Sequence, residues 1–421
     1  MAILDFFKRN KARLLLFFAV LGPGLITAMA DNDAGGVATY SVAASTYGMA
    51  SQYFVILTTI LLAVTQEIGA RIAIVTGKGL GDLIRELYGP GISTALFILY
   101  FFVNQGVVLQ NVSGLKASIQ LLGLPWQPTL IFVCLLLVFL VILLNYKSLQ
   151  RIFLVTILFY GTYVVSAVLA HPNWGEALKE SLILPSKALF SNVGYWFTLI
   201  AVLGTTITAW GQFFVNSFVA DKGLKPEHLK QERAEIYISA ILTNFFSWMI
   251  AIAVTYTLFK NGTIVTGAKE AAEAIGPFAG HLATSLFATG LLAASFLGLT
   301  IVPLATAYVF TEFFGYERTL NANFLKGKVF YIFFAVQIAL GLIIALFPGI
   351  NLFGLTLYAD FLNGALLPVI FFFLIRFSEN SEIMGKYASR GFSKFFLRAA
   401  TVVILIAVVA SFVGKFILKI G

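Results

Sequence analysis

The chain has 421 residues, 59% of them hydrophobic and only 11% charged, with a formal net charge of +9 at pH 7. A soluble domain carries about 25% charged residues, so an ordinary water-soluble fold is excluded and a protein that crosses a membrane many times is indicated. Basic loops on the cytoplasmic side of a membrane explain the positive balance better than nucleic acid does, and a single cysteine, Cys134, excludes an internal disulfide and a thiolate cluster.

Apolar runs long enough to cross a bilayer predict eleven spans, at approximately 14–47, 51–76, 94–122, 127–145, 150–170, 193–219, 235–259, 281–312, 328–347, 351–375 and 396–418. They read as one all-α polytopic membrane domain over 1–421, with a first repeat over about 14–170, a second over about 193–375 and an extra helix at 396–418. With the N-terminus in the cytoplasm, 21 of the 28 Lys and Arg fall on the inner side and seven outside, which predicts an N-in, C-out topology. The basic start, Met1 to Arg13, precedes an apolar run too long for a signal-peptide core and is expected to stay in the mature chain. A multi-pass protein of a prokaryotic inner (plasma) membrane is expected, a monomer with the lipid bilayer as a partner.

The first span is longer than the roughly 20 residues that one crossing needs. Between Leu14 and Gln66 the only charges are Asp31 and Asp33. An acid at the bilayer centre costs roughly 2.5–3.5 kcal/mol on insertion scales, so it marks a functional position. Gly22-Pro23-Gly24 and Asp33-Ala34-Gly35-Gly36 mark points where the helix bends or unwinds. Asp33 is the leading candidate for a cation contact, because a hard divalent ion takes oxygen ligands and a carboxylate adds charge. Asp31 either faces the same cavity across an unwound stretch or lines its entrance. Gly35 and Gly36 add room rather than ligands.

Span 2 carries Glu67 and Arg71 at i,i+4, read as an internal ion pair. Residues 77–90 predict a short amphipathic connector at the inner surface, with Leu83, Ile84 and Leu87 at the bilayer boundary. Asn104, Gln105, Gln110 and Asn111 in span 3 either bond within the bundle or line a pathway. Span 6 has a second polar interruption, Gly204 to Gln212, and Ile26-Thr27-Ala28 recurs there as Ile207-Thr208-Ala209, 181 residues on (207 − 26). Paired interruptions in the first span of each five-span half predict an inverted-repeat transporter with its site at the midplane. Thr205, Thr206, Thr208 and Gln212 offer oxygen ligands there, or helix–helix hydrogen bonds.

Lys260 to Gly280 predicts a polar outer loop. Asp360 and Asn363 share a helical face and either line the cavity or sit near the outer interface. His171, His228 and His281 fall in loops or at span ends, so no span carries a histidine at depth for a transition metal or a proton relay. There is no nucleophile–base pair, P-loop or hydrolase motif, so neither an enzyme nor a cofactor is expected.

The chain resembles the Nramp family of divalent metal-ion transporters across most of its spans. Gly22-Pro23-Gly24 is intact, the family's Asp-Pro-Gly-Asn reads Asp33-Ala34-Gly35-Gly36, and Gln66, Ala70, Arg71, Val75, Thr76, Gly77 and Lys78 match the end of its span 2. Its span 6 Gly-Ala-Thr-Ile-Met-Pro-His stretch corresponds to Gly204 through Trp210. The family's ligand Asn becomes Gly36, its ligand Met becomes Thr208, its His becomes Trp210, and its acidic proton-path residues in span 3 become Val107 and Gln110. Loss of a soft thioether favours hard ions, and Mg²⁺ gives up its waters reluctantly. The pattern resembles the Nramp-related magnesium transporters. That resemblance implies a LeuT-type fold with a 5+5 inverted repeat, an eleventh helix, discontinuous helices 1 and 6, and alternating access without obligatory proton coupling.

The expectation is therefore an importer of hydrated Mg²⁺, with Mn²⁺ also passing. Asp33 supplies the charge, and Thr208 with backbone carbonyls near Ala30 and Thr205 forms an outer-sphere cage. Asp31, Gly36, Gln212 and Asn363 complete the lining. The rivals are a proton-coupled Mn²⁺/Fe²⁺ transporter and a sodium-coupled organic solute carrier.

Overall fold

The computed structural model describes residues 22–317, 324–347 and 356–418. The basic N-terminal segment, the start of span 1 at 14–21, Arg318 and the start of span 10 at 351–355 lie outside the described residues. Among those described, ten helical stretches are long and apolar enough to cross a membrane, and they correspond to spans 2 to 11. Span 1 is present as two helices, α1 (Pro23–Ala30) and α2 (Ala34–Tyr47).

The chain continues through α3 (Val55–Thr76), α4 (Leu80–Leu121), α5 (Trp126–Leu143), and α6 (Tyr146–Leu158) with α7 (Gly161–Leu169), which together make span 5. A surface helix, α8 (Trp174–Leu182), precedes span 6, itself divided into α9 (Val193–Thr206) and α10 (Ala209–Lys222). Then follow α11 (Leu229–Thr257), α12 (Ala268–Ala279), α13 (His281–Phe314), α14 (Lys328–Leu346), α15 (Thr356–Ser378) and α16 (Phe392–Phe412).

Local chemistry explains the two breaks. Asp and Thr compete for backbone N–H groups and so favour N-caps over helix interiors. Asp33 is extended (φ −68°, ψ −173°) and its side chain accepts from Gly36 N, which starts α2 afresh. Thr208 is likewise extended (φ −80°, ψ 148°) and accepts from Gly211 N, which starts α10. The two caps are 175 residues apart (208 − 33), so the Ile-Thr-Ala recurrence at 181 does not join equivalent positions. Thr27 lies inside α1, its hydroxyl bonded back to the Pro23 carbonyl at 2.6 Å.

α1 and α2 both pack on α11, α3 lies between α10 and α11, and α4 runs along α13. α9 and α15 cross backbone to backbone: a Cβ at Gly204 would stand 2.0 Å from the Asp360 carbonyl oxygen. Small residues allow such close approach between membrane helices. α16 is peripheral, buried only at Leu397, Ile404 and Ser411.

Two sequence expectations give way to tertiary packing. The 77–90 connector is the first part of α4, set off by a kink at Gly89 (φ 81°). Leu87 is exposed, but Leu83 and Ile84 are buried in the core rather than placed at the bilayer boundary. The Gly81 N–H donates to Glu312 at 3.0 Å, which draws this segment onto α13. The expected outer loop, in turn, contains α12. Ala268, Ala271, Ala272 and Ile275 bury one helical face, while Glu270 and Glu273 stay exposed on the other.

Candidate functional site

The stretch Asp31-Asn32-Asp33 joins α1 to α2, and all three side chains are buried. Asn32 anchors the break. Its amide donates to the Thr243 carbonyl and hydroxyl, both at 2.7 Å, its oxygen accepts from Ser247 at 2.7 Å, and its own carbonyl accepts from Tyr160 at 3.1 Å. Thr243 also donates to the Ala28 carbonyl. Helix ends leave carbonyls without an intrahelical donor; α11 covers Ala28, and Ala30 ends the helix.

The two acids have different surroundings. Asp33 is committed on both oxygens: Oδ1 accepts from Gly36 N at 3.0 Å and Oδ2 from Asn111 Nδ2 at 2.6 Å. Asn111 also accepts from Ala34 N at 3.1 Å, so it clamps both the cap and the first turn of α2. Asp31 accepts from Thr208 Oγ1 at 2.6 Å, which bridges the two broken helices. Its Oδ2 is buried with no partner.

More uncommitted polar atoms lie on the flanking turns. Gln212, in the first turn of α10, has neither side-chain atom bonded. Asn363 accepts from Ala209 N at 2.9 Å and leaves its Nδ2 unpartnered. A buried polar group left unsatisfied costs about 1–3 kcal/mol, so such atoms around two helix breaks fit a place where water or an ion is received.

Other sequence candidates are placed as follows. Gly36 leaves no spare room: a Cβ there would meet the Asp31 carbonyl oxygen at 2.8 Å and Thr205 Oγ1 at 3.1 Å. Thr206 pairs with the Tyr40 hydroxyl at 2.9 Å. Asp360 is buried rather than interfacial, bonded to the Thr39 hydroxyl and, at 3.3 Å, to Gln110. Asn104 bonds Thr306, and Gln105 bonds the Gln337 carbonyl, both within the bundle. Glu67 and Arg71 pair at 3.1 Å, and Arg233 joins them at 2.6 Å. His171 lies between helices, His228 ends a short 3₁₀ turn that leads into α11, and His281 begins α13. Among the described residues, no three His, Cys, Asp or Glu side chains come together as a metal-binding group. An ion here would meet carboxylate, hydroxyl, amide and backbone oxygens.

Sequence reasoning passed over Asn32 and Gly298. Asn32 sits in an Asp-Asn-Asp triplet, a run of cap and turn residues that is itself a signal. Gly298 on α13 gave none; a Cβ there would stand 2.3 Å from Asn111 Oδ1 and 2.6 Å from Asp33 Cβ.

The family description Nramp, natural resistance-associated macrophage protein-like, matches residues 24–414. The chain belongs to the Nramp family. The divalent metal cation transporter MntH of Levilactobacillus brevis is 23% identical over 409 residues, covering 92% of this chain and 87% of that protein. The protein of the same description from Bradyrhizobium diazoefficiens is 24% identical over 391 residues, covering 89% and 84%. Among solved structures, the Eremococcus coleocola manganese transporter in complex with an aromatic bis-isothiourea substituted compound aligns with a TM-score of 0.72 at 14% identity, over 95% of this chain and 88% of that one. MhsT in complex with L-phenylalanine aligns with a TM-score of 0.55 at 14% identity, over 96% and 98%. These likenesses establish a LeuT-type, all-helical membrane fold, as the family resemblance implied.

Proposed function

We propose that this protein carries divalent metal ions across the membrane by alternating access, and that its preferred cargo is Mg²⁺ taken with part of its water. The observation that carries the reading is the donor set at the two helix breaks. Asp31 Oδ2 is uncommitted, Asp31 and Thr208 bridge the broken helices, and Gln212 and Asn363 present unpartnered polar atoms beside them. Of these atoms Asp31 Oδ2 and Gln212 Oε1 are hard oxygen donors for a cation, the amide NH2 groups of Gln212 and Asn363 can bond only to water or another acceptor, and no histidine is among them. Hard oxygen donors suit Mg²⁺, which keeps several waters, whereas a thioether or imidazole would favour softer ions. Family membership supports a metal ion as cargo, since the relatives are named as divalent metal cation transporters.

In this reading Asp33 works through its charge and by holding the start of α2, while Asp31 and Thr208 meet the hydrated ion. Ala30, Thr205, Gln212 and Asn363 line the path, while Gly36 lets the Asp31 carbonyl and Thr205 close against α2. Uptake follows the membrane potential without obligatory proton movement, because the positions that resemble the family's proton path are Val107, Gln110 and Trp210.

Mg²⁺ flux into proteoliposomes is the direct test, with Asp33→Ala as control. Strong flux in the native chain and at least a tenfold loss in the variant are expected. Flux unchanged by Asp33→Ala overturns the site. A second reading, proton-coupled Mn²⁺ transport, is favoured by the manganese transporter among the structural neighbours. Metal-driven acidification of the vesicle lumen would decide for it.

A further inference from the structure

The cytoplasmic side, as the charge count assigns it, carries a second feature, apart from the two helix breaks of the proposed ion path. The ends of α3 and α11 and the turn before α16 enclose a cavity of about 440 Å³, lined by Arg71, Arg233, Lys386, Arg390, Ser389 and Ser393. Its acid, Glu67, is fully engaged by Arg71 on both oxygens and by Arg233 at 2.6 Å. Arg71 is also tied to the Tyr387 carbonyl and, at 2.9 Å, to Ser389 Oγ, which fixes the turn against α3. Four cations therefore face one carboxylate, a net +3.

The remaining positive charge is not neutralised nearby. Glu379, which precedes the turn, is held by Lys394 at 3.1 Å and by Arg398. Lys386 and Arg390 are exposed, and among the described residues neither makes a side-chain hydrogen bond or ion pair; Lys386 lies over the Tyr387 ring at 5.2 Å. At the rim, α16 starts from Gly391 with no side chain capping its first N–H groups. Its Phe392 and Phe395 are 66% and 75% exposed on a helix whose flank is otherwise apolar and unburied, so the cavity opens where the bilayer begins.

We propose that this cavity binds a phosphate-ester anion, with the headgroup of an anionic phospholipid as its source. The unbonded Arg390 fork can take phosphate oxygens bidentately, Lys386 adds a point charge, and Ser389 Oγ, which accepts from Arg71, still has its own proton to donate, while Arg71 and Arg233 contribute charge from their places on Glu67. A bound headgroup would join α3, α11 and the turn before α16, so occupancy would stiffen the contact between these helices.

The test uses the full-length purified protein in neutral detergent. It is titrated with phosphatidylglycerol, phosphatidylcholine and sn-glycerol 3-phosphate, reading adducts by native mass spectrometry and the unfolding temperature. Phosphatidylglycerol is expected to bind and raise the unfolding temperature, and phosphatidylcholine to do neither. The double variant Lys386→Gln/Arg390→Gln, at two exposed and unbonded positions, is expected to bind about 30-fold more weakly, from about 1 kcal/mol per basic residue near an anionic surface. Lys230→Gln/Lys328→Gln removes the same charge from the same side and is expected to bind within about twofold of the native chain. Protection by glycerol 3-phosphate equal to that by the lipid assigns the cavity to a free phosphate ester; protection by the lipid alone assigns it to the headgroup. Equal binding of the two lipids, or an equal loss in the control pair, overturns the proposal. No readout depends on transport, so the outcome stands apart from the proposed function.

Discussion

Asp31 and Asp33 differ by two positions yet have different work to do. Asp33 spends both oxygens on Gly36 N and Asn111, whereas Asp31 keeps Oδ2 free beside its bond to Thr208. Asparagine is as good an N-cap as aspartate, so Asp33→Asn should remove charge and leave α2 capped. The new NH2 would face the Asn111 Nδ2 donor, so some loss of stability, about 1–3 kcal/mol, is expected together with at least a tenfold fall in Mg²⁺ flux; native flux in a folded Asp33→Asn chain would show that the charge of Asp33 is not needed. Gly298→Ala tests the clamp from the other side. Its Cβ would stand 2.3 Å from Asn111 Oδ1 and 2.6 Å from Asp33 Cβ, so the Asn111–Asp33 clamp must shift. Flux should fall sharply, and a flux assay that finds Gly298→Ala as active as the native chain would disprove the coupling. At Thr208, methionine should strengthen Mn²⁺ or Cd²⁺ relative to Mg²⁺ in competition flux, because a thioether is a soft donor.

At the level of the helix, α1 is held at both ends by α11. Glu235 accepts from Gly22 N at 2.6 Å and Leu25 N at 3.0 Å, and Thr243 holds the last turn. Pro23 sits in the first turn, where its missing N–H leaves no donor orphaned. Losing a cap costs about 0.5–2 kcal/mol. Glu235→Ala should therefore speed amide exchange at Leu25 by about tenfold, and Glu235→Gln, which keeps an acceptor, should restore much of the protection. Equal exchange in both variants would separate Glu235 from the stability of α1. The crossing of α9 with α15 makes a second demand. Gly204→Ala would press a methyl onto the Asp360 carbonyl, and overpacking of this kind typically costs 1–3 kcal/mol. A lowered unfolding temperature is the expected readout.

For the molecule as a whole, uncoupled entry of a divalent ion has a thermodynamic signature. Two charges at about 2.3 kcal/mol each per 100 mV supply about 4.6 kcal/mol, which is roughly a two-thousandfold concentration ratio when 1.4 kcal/mol is tenfold. Vesicles clamped at that potential should accumulate Mg²⁺ toward this limit with no change in luminal pH. Accumulation that follows an imposed pH gradient at zero potential would contradict an uncoupled mechanism.

Much of this architecture was legible in the chain itself. The membrane class, the spans within the described residues and the two helix breaks follow from apolar length and from Asp, Thr and Gly at particular positions, because span length and helix capping act within a few residues of one another. The use of each polar atom was not legible. Asn111 reaches Asp33 across 78 residues and Thr208 reaches Asp31 across 177, and only the crossing of helices decides which oxygen is consumed and which is left free. The same holds for Leu83 and Ile84, whose pattern suits a lipid surface until α4 folds against α13, and for Gly36, whose missing side chain reads as room until the Asp31 carbonyl fills it. Local chemistry determines where a helix stops; the packing of distant helices determines what the exposed ends then touch.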